Sequence, residues 1–183
     1  MLVNLLADMN VDIIRHCADF DIDGIIMWDD WGLQDRLMIR PSIWREIWKP
    51  AYKKIYDEAH RAGMDVFLHS CGYIVDILDD LIEIGLNAIH MDQQENMGLD
   101  LLGHRFGGRL NFFSPVDIQK TLATGSPEDI KSYCREMMRC LGSKEGGFIP
   151  RWYFDPVGAG HKMENVNLMC EEFLLISQEV FGE

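Results

Sequence analysis

The sequence is short of positive charge. It has 17 Lys and Arg against 30 Asp and Glu, a formal charge of -13, so its mean field repels a phosphate backbone and nucleic acid is excluded as a partner. Long apolar runs are missing too. No segment reaches the roughly 18 to 20 residues that a membrane-crossing helix needs. Asp8 and Asp12 interrupt the stretch where a secretory leader would be apolar. A cytoplasmic protein with no membrane partner is expected. Cysteine is sparse: Cys17, Cys71, Cys134, Cys140 and Cys170 are odd in number and irregular in spacing. That excludes a disulfide framework and suits reduced thiols, most of them core fillers. No Gly-x-Gly-x-x-Gly follows any strand-like segment, so a dinucleotide-binding sheet has no support.

With 48% hydrophobic and 26% charged residues, the chain of 183 residues can bury a core. Five apolar runs read as buried strands: GIIMWD (24–29), DVFLHS (65–70), NAIHMD (87–92), RLNFFS (109–114) and GGFIPRWYF (146–154). They are continuous rather than alternating, as in parallel strands covered on both faces. Helical patterns lie between them. From Pro41 to Ala59 apolar residues recur every three or four positions, with Pro50 predicted to kink the helix and Gly63 to stop it. Residues 74–84 form a second helix. Ser126 caps a third that begins at Pro127 and runs to about Leu141, and a last helix spans about 164–180. One more helix precedes the first strand. Strand followed by helix, repeated, predicts right-handed crossovers and a parallel α/β fold. A (β/α)8 TIM barrel has eight strands and about 250 residues. This chain supplies about five βα units, a partial barrel.

Active sites of such folds collect at the carboxyl ends of the strands. Those ends carry Asp29 and Asp30, His69 and Cys71, Asp92 and Gln93, Ser114 and Asp117, and Arg151 and Asp155. Residues two apart on an extended segment point the same way, so the imidazole of His69 and the thiolate of Cys71 can converge on one ion, with room left by Gly72. Nitrogen and sulfur donors together favour zinc; the other reading is a hydrogen-bonded strand-end histidine beside a small buried cysteine. Asp29 and Asp30 suit acid–base work, with only one of the two facing the site, or else a cap. His90 reads as a satisfied core histidine. His161 lies on a glycine-rich loop that is either a lid or a connector. Trp28 and Trp31 read as core or rim, or as a cover for a flat ligand.

The segments DGIIMWDDWG, RPSIWREIWKPAYKKIYDEAHRAGMDVFLHSCGYIVDILDDLIEIGLNAIH, SPVDIQKTLATGSPEDIKSYCREMM, GGFI and MENV occur in order. Together they resemble the C-terminal half of the uroporphyrinogen decarboxylase superfamily, over nearly the whole chain (1–183). The resemblance implies a (β/α)8 barrel and membership of a group that holds tetrapyrrole decarboxylases and zinc-dependent methyltransferases working with corrinoid proteins. His-x-Cys at His69 and Cys71 resembles the metal motif of the methyltransferase branch. That branch's third ligand stands nine residues before the Glu-Asn pair, which here lands on Asp155. An oxygen donor there departs from the usual sulfur or nitrogen.

The resemblance therefore implies a zinc-dependent methyltransferase that moves a methyl group between a small molecule and a corrinoid, the cobalamin-type cofactor of a partner protein. His69, Cys71 and Asp155 would hold the metal. Asp29 or Asp30 would be catalytic, and Trp31, Gln93, Asp117 and Arg151 would contact substrate. The alternatives are a tetrapyrrole decarboxylase, disfavoured because the strand ends offer mainly acids, and a truncated, inactive barrel piece. The family's best-known arginines and catalytic aspartate belong to a front half that this sequence does not contain. The chain is then a fragment, a half-barrel that pairs with a second copy through open edges, or one part of a split enzyme.

Overall fold

A computed structural model describes residues 2–153 and 155–182. The chain divides into two compact units, Met1–His90 and Met91–Glu183. Among the described residues no helix is long and apolar enough to cross a membrane.

The first unit runs α1 (Leu2–Cys17), β1 (Gly24–Trp28), α2 (Pro41–Ile47), α3 (Lys49–Arg61), β2 (Asp65–His69), α4 (Val75–Glu83) and β3 (Ala88–His90). The three strands are parallel in the order of the sequence. The helix expected to kink at Pro50 is divided at Trp48, and Pro50 stands in the first turn of α3. Its missing N–H would otherwise have bonded one turn back, so a first-turn position costs nothing. The apolar stripe of α3 buries Tyr52, Ile55, Tyr56 and Ala59. Trp44 of α2 and Leu68 of β2 are wholly buried, as are Ile77, Leu78 and Leu81 of α4. Asp80 of α4 is nearly buried and accepts from Arg45 Nε and Lys49 Nζ, both at 2.8 Å. Two cations on one carboxylate offset its desolvation and fasten α4 to the α2–α3 pair.

The second unit holds α5 (Leu99–Phe106), β4 (Asn111–Ser114), α6 (Thr121–Thr124), α7 (Pro127–Leu141), β5 (Phe148–Pro150) and α8 (Met163–Phe181), with β4 and β5 parallel. Ser126 caps α7 as expected. Its hydroxyl accepts from Asp129 N–H at 3.2 Å while the Asp129 carboxylate accepts from Ser126 N–H at 2.9 Å, a reciprocal capping box. Helices α5 and α6 are additions to the sequence reading. Gly103 makes α5 look weak in sequence, yet a Cβ there would lie 1.9 Å from the Cys140 carbonyl oxygen of α7. The glycine is what lets the two helices approach. The last strand is shorter than the run 146–154: it covers Phe148–Pro150, and one more bond to β4, from Arg151 N–H to the Ser114 carbonyl at 3.3 Å, follows it. Phe154, at the end of that run, lies outside the described residues.

Candidate metal centre

The parallel register pairs Trp28 with His69 and His69 with His90, so the last residues of β1, β2 and β3 stand side by side at the carboxyl edge. The Trp28 indole lies over the His69 ring, centroids 4.5 Å apart, and meets the His90 ring edge-on at 5.2 Å. His69 Nδ1 is 3.0 Å from His90 Nδ1. The other nitrogen of His69, Nε2, is 3.4 Å from Cys71 Sγ and 3.4 Å from an Asp30 carboxylate oxygen.

Asp30 reaches that position because the loop after β1 is laced to the loop after β2. Asp29 N–H donates to the His69 carbonyl, Gly32 N–H to that of Cys71, and Tyr73 N–H to that of Leu33, at 3.1, 3.1 and 2.7 Å. Trp31 N–H donates to Ser70 Oγ at 2.9 Å, and Cys71 N–H to the Asp30 carboxylate at 2.8 Å. Gly32 and Gly72 meet at the centre of this seam, where a Cβ on either would come within 2.6 Å of the other loop's backbone, and Gly72 has φ +74. A side chain at position 72 is therefore strained by its φ and by contact. Gly72→Ala is expected to cost about 1–3 kcal/mol, lowering the melting temperature by roughly 2–12 °C. A thermal melt that matches wild type would show the seam to be slack.

The two adjacent carboxylates part. Asp29 accepts a 2.6 Å bond from the Tyr52 hydroxyl, which itself accepts from Trp31 Nε1 at 2.9 Å. Burial, and then the charge of Asp29, push the Tyr52 phenol well above its ordinary pKa, so it stays protonated and donates. Trp31 packs edge-on against Trp44, Trp48 and Tyr52. It is a structural wedge at the loop's base. Asp30 is left facing His69 and Cys71, and ligand atoms of the three lie within 4.8 Å of one another. Tetrahedral zinc with bonds of about 2.0–2.3 Å spaces its ligands about 3.3–3.6 Å apart. The two separations from His69 Nε2, 3.4 Å each, match that spacing. A nitrogen, a sulfur and an oxygen donor are a set that zinc accepts.

The remaining predicted residues lie in the second unit. Asp117 accepts from the backbone N–H groups of Gln119, Lys120 and Thr121 and from the Thr121 hydroxyl, which ties together the turn leading into α6. Arg151 is ion-paired at 2.8 Å with the buried Asp92, which also accepts from the Tyr153 hydroxyl at 2.7 Å. Gln93 precedes a 3-10 turn and receives the Asn96 N–H on its carbonyl. Asp155 is exposed and its carboxylate accepts from Gly158 N–H at 2.9 Å. His161 is buried, its Nε2 3.1 Å from the Ile118 carbonyl. Sequence reasoning placed Tyr52 on the apolar stripe from Pro41 to Ala59 and read His90 as a core histidine, with no part in the site for either. The signal for His90 was present, since NAIH and VFLH both end a strand on histidine.

The family model for uroporphyrinogen decarboxylase matches residues 1–172. The chain belongs to this family. Among solved structures, a methyltransferase from Methanosarcina mazei superposes with a TM-score of 0.69 at 17% identity, over 93% of this chain and 47% of the other. A D-psicose 3-epimerase, whose structure was determined in the presence of D-fructose, superposes with a TM-score of 0.52 at 12% identity, over 97% of this chain and 71% of the other. No curated protein sequence matches. These likenesses establish the fold as the α/β, partial (β/α)8 type that the strand and helix pattern implied. The chain spans about half the length of the methyltransferase it superposes on.

Proposed function

We propose that the chain is the C-terminal, zinc-holding half of a methyltransferase barrel of the uroporphyrinogen decarboxylase family, acting on a methyl group carried by a corrinoid partner protein. The observation that carries this reading is the convergence of Asp30, His69 and Cys71 at the ends of β1 and β2. The methyltransferase neighbour supports it. Zinc, when bound, would act as a Lewis acid that favours the ionised form of a thiol.

The residues have distinct parts. His69 and Cys71 supply soft donors, and Asp30 supplies a negative charge that balances the cation. Tyr52 holds Asp29 away from the ion and so keeps the two neighbouring carboxylates from competing for it. The exposed indole of Trp28 covers one face of the His69 ring. Held by Asp30, His69 and Cys71, the metal would favour loss of the proton from a substrate thiol, and the corrinoid of the partner protein would supply or accept the methyl group. The decarboxylase alternative is less favoured, because Arg151, the cation at a strand end suited to substrate carboxylates, is committed to Asp92.

The outward stripe of α1, with Leu2, Leu5, Met9 and Ile13 all exposed, supports a barrel completed by further structure, whether the N-terminal half or a second copy. Metal analysis of freshly purified protein tests the reading first: about one equivalent of zinc per chain is expected. Asp30→Asn should lower it and Asp155→Asn should leave it unchanged. A protein free of metal, and unable to take zinc up at micromolar concentration, would end the methyltransferase reading. Retained zinc in Asp30→Asn with loss in Asp155→Asn would return the third position to Asp155.

A further inference from the structure

We infer that His90 is a positioning residue that fixes the ring and tautomer of His69 for metal binding, an inference that rests on the metal reading above. The two rings meet through their Nδ1 atoms at 3.0 Å, in a site where His90 is 1% and His69 7% exposed. His69 presents its other nitrogen, Nε2, to Cys71 Sγ and Asp30 at 3.4 Å each. A histidine that ligates through Nε2 has no proton there, so its proton sits on Nδ1. That Nδ1–H then points at His90 Nδ1, which accepts, and the proton of His90 is placed on its own Nε2.

Metal-bound histidines usually give this second bond to a carboxylate, a backbone carbonyl or water. Here the acceptor is the imidazole of His90. Three constraints keep it in place. The register aligns His69 with His90, Ser70 N–H donates to the His90 carbonyl at 3.0 Å, and the Trp28 indole contacts both rings. A histidine that only filled the core would need none of this alignment with His69 Nδ1.

The test compares wild type, His90→Phe and His90→Gln by Co2+ titration of the metal-free protein and by nitrogen shifts of the His69 ring, with circular dichroism to verify folding. Loss of a hydrogen bond of this kind typically costs 10- to 100-fold in metal affinity. That loss is expected for His90→Phe, with partial recovery in His90→Gln, whose amide oxygen can accept. At saturating Co2+ the thiolate-to-metal absorption should persist in His90→Phe, because Cys71 remains. The His69 nitrogens should report one tautomer in wild type and a mixture in His90→Phe. Wild-type affinity in a folded His90→Phe overturns the positioning role and leaves the metal reading standing. A wild type that takes up no Co2+ overturns the metal reading instead. His90 is then judged by the nitrogen shifts, which overturn its hold on the ring if the variant leaves them unchanged.

Discussion

Cys71→Ala is expected to weaken Zn2+ binding by about 10^2 to 10^3-fold. A structural zinc is worth about 10–16 kcal/mol. Shared over four coordination positions, three of them protein donors here, that is roughly 2.5–4 kcal/mol each, or two to three decades in affinity at about 1.4 kcal/mol per decade. His69→Ala should fall in the same range. Competition against a chromophoric chelator measures the loss directly. The stability readout runs in parallel: zinc binds only the folded site, so it should raise the melting temperature of wild type and have little effect on that of Cys71→Ala. Because the ligands must be unprotonated, the wild-type affinity should fall as the pH is lowered. A Cys71→Ala protein that competes for zinc as wild type does would remove the thiolate from the site.

Trp44→Ala should have the largest effect on stability, about 3–5 kcal/mol, or roughly 6–20 °C in melting temperature. Trp44 is fully buried. It packs against Trp31 and Tyr52 with ring centroids 6.3 and 5.8 Å away, so its loss opens a cavity under the loop that carries Asp30. The same change should speed amide exchange at Trp31 and Gly32, where the seam begins. Trp44 Nε1 has no hydrogen-bond partner among the described residues, a buried donor left unpaired at a cost. Trp44→Phe keeps most of the ring and removes that donor, so it should lose far less than Trp44→Ala. Equal losses in calorimetry would contradict the cavity account.

Local chemistry was what the sequence made legible. Pro50 divides one apolar stripe into two helices, and Ser126 with Pro127 and Asp129 begins a third, because a missing N–H and a side-chain acceptor act within one turn. Strand ends were harder to place. β5 ends at Pro150 although the apolar run continues beyond it, and Leu110, inside another run read as a strand, instead gives its N–H to the Phe106 carbonyl at 3.1 Å, closing α5. At the site, the spacing of His69 and Cys71 was visible because it is set within one strand. The place of Asp30 was not: it depends on hydrogen bonds to a loop about forty residues away. His90 looked like an ordinary core residue for the same reason, since only the pairing of β2 with β3 shows what its ring touches. Asp117 and Arg151 were read as substrate contacts, and what the sequence did not show is their partners within the fold, the turn before α6 and Asp92.

The alignment of Trp28 beside His69 gives this edge of the first unit a built-in chromophore. An indole tilted against an imidazole with centroids 4.5 Å apart senses any charge that ring acquires, and Trp28 is one of only five tryptophans in the chain. Its emission, isolated by subtracting that of a Trp28→Phe protein, would follow occupancy of the neighbouring ring without a label or an added dye.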